Sequence, residues 1–200
     1  MARPANHPAA LNGRIGVLLV NLGSPEAPTR AAVRSYLTEF LSDRRVVEIP
    51  PLLWQPILHG FVLTTRPSRS AHAYAQIWTE EGSPLVAITR RQAEKVQTAL
   101  GSDVIVDWAM RYGQPSISDR LAALQAAGCD RILLAPLYPQ YSSATTATVF
   151  DAAAAALAEM RWQPSLRVLP PYYDDPAYIG ALEASVAAEL AALPFVPDTI

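Results

Sequence analysis

Side chains able to bind a ligand or move a proton are concentrated in two places. The first is residues 131–146, RILLAPLYPQYSSATT, where Tyr138, Gln140, Tyr141, Ser142, Ser143, Thr145 and Thr146 follow an apolar run broken at Pro136 and Pro139. Rings and hydroxyls at that density exceed what a chain reversal needs and mark a ligand site. The plain alternative is a polar loop on a core strand. The second place is Arg111 beside Tyr112. A guanidinium there suits a carboxylate-bearing substrate, because its fork of donors matches two carboxylate oxygens. The plain alternative is a surface ion pair. Metal chemistry has less support. His59 and His72 have no cysteine, histidine or carboxylate partner at ligand spacing, and the single cysteine, Cys129, reads as a small buried hydrophobe. No metal site is expected.

Both places fall at the ends of predicted strands. Apolar runs at 15–20, IGVLLV, at 104–109, VIVDWA, and at 132–135 read as strands buried on both faces, with a short fourth at 166–169. Helical spacing fills the intervals. Val33, Tyr36, Leu37, Phe40 and Leu41 fall three and four apart over 29–41. Over 71–78, Tyr74 and Trp78 share a face. Pro84 starts a helix that points Leu85, Ile88, Val96 and Leu100 inward and stops at Gly101. Ser116 and Asp119 form a capping box for a helix ending at Gly128, and an alanine-rich helix covers 147–160. Asp175 caps a last helix whose apolar face is Ile179, Leu182, Val186, Leu190 and Leu193, and 198–200 opens one more strand.

Strand and helix alternate, so the fold class is α/β: a doubly wound parallel sheet resembling the flavodoxin type. Ligands in such a sheet sit past the carboxyl ends of the strands, where Arg111, Tyr112 and the tyrosine loop stand. One stretch resists the scheme. Residues 49–63, IPPLLWQPILHGFVL, are almost uncharged yet carry Pro50, Pro51, Pro56 and Gly60, breakers that rule out a long core helix. Its pieces either fold back as core or form an apolar flap beside a cleft or on a membrane surface.

The 200 residues, 50% of them apolar, suffice for one domain with a sizeable core. A net charge of -2 and a pI near 5.9 supply no basic field for nucleic acid. A lone cysteine fits a reducing cytoplasm, and residues 1–14 lack the apolar core of a signal peptide and read as a mobile tail. No run of ~18 apolar residues is present to span a bilayer. Gly23 stands alone after the first strand, without the further glycines of a phosphate loop, which argues against a nucleotide or flavin binder.

Six stretches taken together resemble the ferrochelatase family, the protoporphyrin metal chelatases of haem synthesis. They are VLLVNLGSP at 17–25, YLTEFLSDRRVVEIP at 36–50, YAQIWTEEGSPL at 74–85, AMRYGQPSI at 109–117, LAPLYPQYSSATT at 134–146 and PYYDDPAYI at 171–179. They follow the family's order at compatible spacing. The resemblance implies a chelatase-like α/β domain over 15–200 and a lyase reaction that inserts Fe(II), a substrate rather than a cofactor, into protoporphyrin IX. It implies that Leu22, Tyr74, Ser83, Tyr138, Tyr141 and Thr146 face the macrocycle or its edge. Arg111 and Tyr112 then stand on the metal side as positioning and charge-control groups, since an arginine stays protonated and is a poor base. Leu22 stands where other members place methionine or tyrosine, and it cannot serve as an axial ligand. The segment 49–63 becomes an apolar lip, touching the inner membrane from the cytoplasm.

The family's proton-accepting histidine lies in a Ser-x-His segment just past the strand that Pro197 begins, and its partner glutamate lies further on. Neither is in this sequence, and His7, His59 and His72 stand in no such motif. The resemblance therefore implies the first of two α/β halves, inactive alone, and leaves open whether a second half carries an iron-sulfur cluster. The alternative is a porphyrin-binding module without chemistry.

Overall fold

The computed structural model describes residues 13–195. The expected tail, up to residue 12, and the strand expected at 198–200 lie outside the described residues. In chain order the elements are β1 (Arg14–Gly23), α1 (Arg30–Ser42), α2 (Pro51–Ile57), α3 (Leu63–Ile77), α4 (Pro84–Leu100) and β2 (Val104–Tyr112). There follow α5 (Ile117–Ala126), β3 (Cys129–Pro136), α6 (Thr148–Ala158), β4 (Ser165–Val168) and α7 (Pro176–Ala192). Arg14, assigned above to the tail, opens β1.

The four strands form one parallel sheet in the order β2-β1-β3-β4, with Val17 opposite both Val106 and Leu133. Because β1 pairs on both edges and is covered on both faces, its side chains are apolar at successive rather than alternate positions. Leu18, Val20, Ile132 and Leu134 pack on Leu121 and Leu124 of α5 and on Val149 and Ala153 of α6. Val17, Leu19 and Ala135 turn the other way, onto Ala93 of α4. Local chemistry sets the helix starts. The Thr29 hydroxyl accepts from the Ala32 N–H at 3.3 Å, and the Ser116 hydroxyl accepts from the Asp119 N–H at 3.1 Å. The Asp175 carboxylate accepts from the Ala177 N–H at 2.9 Å.

Three expectations are corrected. First, the prolines of 49–63 do not prevent a long helical run: α2, a π-helical turn at Leu58–Val62 and α3 follow one another without a break. Pro51 sits in the first turn, where its missing N–H would be unpaired anyway. The π turn, closed by the Leu63 N–H on the Leu58 carbonyl, adds one residue to the repeat. Leu58 and Leu63, five apart, thereby share the buried face that Pro67 and Ala71 continue at intervals of four.

Second, α4 buries Ala87, Thr89 and Ala93, while Ile88 and Leu100 are 47% exposed. Small residues let that helix approach the sheet closely, and the larger ones flank the contact. Third, α7 buries none of its residues, and Ile179, Leu182 and Val186 remain nearly half exposed. Among the described residues nothing covers that face.

Candidate functional site

In the order β2-β1-β3-β4 the direction of winding reverses between β1 and β3, the position at which the carboxyl edge of such a sheet forms its ligand crevice. Gly23 closes β1 there with φ +110, and a Cβ at that residue would lie 1.8 Å from the Tyr112 carbonyl oxygen, so only glycine fits. Asn21 anchors the same strand end by donating its amide to the Thr89 hydroxyl at 3.0 Å. Leu22 is thereby held against a cluster that contains Tyr36, Leu37, Leu58, Leu63 and Tyr112, with Phe40, Trp54 and Tyr74 at its margin. The rings interlock. Phe40 meets Tyr112 edge-on with centroids 5.1 Å apart, and the Trp54 indole N–H donates to the Leu41 carbonyl at 2.6 Å.

Four phenols converge on this crevice. Burial pushes those of Tyr36, Tyr112 and Tyr138 far above their ordinary range and raises that of Tyr74 as well. Tyr36 also feels repulsion from Tyr74, Tyr138 and Tyr112, while the Arg111 cation opposes the rise at Tyr112 and Tyr138. The Tyr138 hydroxyl and the Thr145 hydroxyl are buried without a hydrogen-bond partner. A buried donor left unfilled costs free energy, so these two hydroxyls are polar groups the packing does not satisfy.

Arg111 is already engaged. Its Nη2 donates to Asp43 Oδ2 at 2.5 Å and its Nε to the Thr148 carbonyl at 2.8 Å, with the guanidinium carbon 4.2 Å from the Tyr112 ring centroid. The Tyr112 hydroxyl donates to the same Asp43 Oδ2 at 2.9 Å, and Asp43 Oδ1 accepts from the Arg45 N–H at 2.8 Å. Arg45 in turn pairs with Asp151 on α6, its Nη2 at 2.9 Å from Oδ1, and that hydrogen bond holds the Asp151 carboxyl below its usual range.

Of the residues expected at a site, Leu22, Tyr74, Tyr138, Arg111 and Tyr112 are brought together by these contacts. Tyr141 is 59% exposed and stands on the Arg45 side. Ser83 is buried at the start of α4, and Thr146 is buried with its hydroxyl donating to the Gln140 carbonyl at 3.4 Å. Sequence reasoning passed over Asp43 and Tyr36. Asp43 reads as a helix stop until β2 is known to end beside it. Arg66 and Arg69 were also passed over. They line a groove of about 560 Å³ along α3, and the Arg66 charge reaches Tyr74. Their spacing of three on a helix was the available signal. The cavity of about 440 Å³ lined by Ile15, Arg131 and Ser165 lies at the amino ends of the strands, away from this chemistry.

A family model described as Ferrochelatase matches residues 14–199. The chain is 55% identical over 201 residues to the ferrochelatase of Allorhizobium ampelinum, covering 98% of this chain and 58% of that protein. It is 55% identical over 198 residues to the ferrochelatase of Rhizobium meliloti, covering 97% and 58%. With the ferrochelatase of an Azoarcus species it is 57% identical over 184 residues, covering 91% and 51%. The chain thus spans little more than half the length of these relatives.

Proposed function

The chain belongs to the ferrochelatase family, and on that premise we propose that it supplies a porphyrin-binding wall for insertion of Fe(II) into protoporphyrin IX. The observation that carries this reading is the crevice at the β1/β3 switch point. There the half-buried Leu22, Tyr74 and Tyr138 lie over the buried rings of Tyr36 and Tyr112 as an apolar, neutral surface with one unfilled hydroxyl. A flat macrocycle needs such a surface on its face and cations at its edge for two propionates. Arg66 and Arg69 offer the cations beside Tyr74. The exposed side of the arm formed by α2, the π turn and α3 suits a membrane surface, from which an apolar ring would arrive. Leu52 there is 91% exposed and Phe61 68%. No helix among the described residues is long and apolar enough to cross a membrane; the contact proposed is a peripheral one, and the side proposed is the cytoplasmic face.

Insertion exchanges two pyrrole protons for one Fe(II), and the departing protons need an acceptor. The described residues of the crevice offer none that is suited. The phenols are held neutral, Arg111 is a cation paired with Asp43, Glu39 accepts from the Gly113 N–H at 2.9 Å, and His59 and His72 stand on the exposed arm. A second reading follows from that observation: these 200 residues bind the porphyrin without turning it over. Absorbance titration with protoporphyrin IX, followed by a spectroscopic assay of Fe(II) or Zn(II) insertion, tests both. Saturable binding without metalloporphyrin is the expected result. Turnover by this chain would refute the missing base, and failure to bind would refute the wall.

A further inference from the structure

Arg111 at depth and Arg45 nearer solvent, linked through Asp43, are both matched by acids. Arg111 and Asp43 are 15% and 13% exposed at their side chains, and Arg45 is paired with Asp151. The edge of the Arg111 guanidinium that would grip a carboxylate side-on, its Nε and Nη2, is spent on the Thr148 carbonyl and on Asp43. Tyr112 is fully buried and also spends its hydroxyl on Asp43. The rim at Tyr74 is different, because no carboxylate among the described residues lies within ion-pair distance of Arg66 or Arg69. One end of the crevice is therefore neutral by internal pairing, and the other keeps its cations.

We infer that Asp43 determines which way round the porphyrin enters: by occupying Arg111 it denies the propionates a cation at the deep end, so they remain at the rim. The inference rests on the proposed porphyrin wall and adds a specificity-determining residue to it. A ring carrying two carboxylates would otherwise meet an attractive guanidinium beside Tyr112 and dock with its charged edge inward. With Asp43 in place, an incoming propionate meets a site of no net charge whose side-on fork is taken. Leaving water for that site costs the propionate its solvation and returns little. Asp43 can hold this position because the 43–50 segment is pinned on both sides. Its own carboxylate reaches β2, and the next arginine but one reaches α6.

The test compares affinities for protoporphyrin IX and for its dimethyl ester, which keeps the ring but removes both charges. Asp43→Asn keeps the size of the side chain and unmasks Arg111. The preference for free acid over ester should rise by about tenfold, the value of one freed charge-assisted contact at a largely buried guanidinium. In the double variant Asp43→Asn with Arg111→Gln the preference should return to the wild-type value. A purely structural role would weaken both ligands alike and leave the ratio unchanged, and that result would overturn the inference while leaving the porphyrin wall intact. Wild-type protein that binds neither porphyrin would defeat the wall itself and this inference with it. If the Asp43→Asn variant does not fold, the Arg111 Nε–H resonance of the wild type decides the question. It should shift equally with acid and ester, and an acid-specific shift would show a propionate on Arg111 and contradict the inference.

Discussion

A carboxylate that receives the Arg111 guanidinium, the Tyr112 hydroxyl and the Arg45 N–H cannot be deleted cheaply. Asp43→Ala leaves a largely buried guanidinium uncompensated and is expected to cost about 3 kcal/mol in urea denaturation. Tyr138 behaves in the opposite sense. Its buried hydroxyl has no partner, so Tyr138→Phe should leave stability unchanged or raise it by about 1 kcal/mol, while weakening porphyrin binding if the hydroxyl meets the macrocycle's edge. The phenols also fix a pH window. Because burial raises Tyr36, Tyr112 and Tyr138, the folded chain holds those protons more tightly than the unfolded chain does. Their contribution is complete below the unfolded phenol value of about 10 and declines as pH rises above it. Denaturant midpoints should fall above about pH 10, with these tyrosines remaining unionised in ultraviolet titration until the chain unfolds. Ionisation of all the tyrosines ahead of unfolding would contradict their burial.

At the scale of elements, the helical arm has two faces with separate roles. Leu58 is fully buried against α1 and the tyrosine cluster, so Leu58→Ala should cost about 3 kcal/mol. Leu52, Leu53 and Phe61 face outward, and replacing all three by serine should change stability by less than about 1 kcal/mol yet abolish sedimentation with phospholipid vesicles. Vesicle binding that survives the triple change would remove the membrane role. The caps and stops of most elements were readable because their causes are local: a hydroxyl at Thr29 and another at Ser116, whose own N–H turns to Gln114 rather than Asp119, and a positive φ at Gly101. The arm escapes a reading by breakers because Pro51 falls in a first turn and a π turn carries the helix on past Gly60, and nothing in the residue types announces one. On α4 the small Ala87 and Ala93 are buried by close approach and Val96 packs beside them as expected, whereas the larger Ile88 and Leu100 stay nearly half exposed.

Across the whole molecule, the alternation of apolar runs and helical spacing was enough for a parallel sheet and for the loops at its carboxyl edge. It was not enough for the partner of Arg111. Asp43 is 68 residues away in sequence and meets it only because α1 ends beside the end of β2. Nor did periodicity reveal that α7 would carry its apolar residues uncovered among the described residues. The central claim is spatial: residues from the ends of β1, β2 and β3 and from α3 form one surface for one flat ligand. Isotope-edited NMR of the chain titrated with protoporphyrin IX tests it most directly, since the macrocycle's ring current moves whatever lies against its face. Large upfield shifts are expected at the Leu22 methyls and at the Tyr74 and Tyr138 rings, with Val186 of α7 and Ile15 at the amino edge unmoved. Saturable binding that shifts Val186 or Ile15 and leaves Leu22 in place would contradict the account.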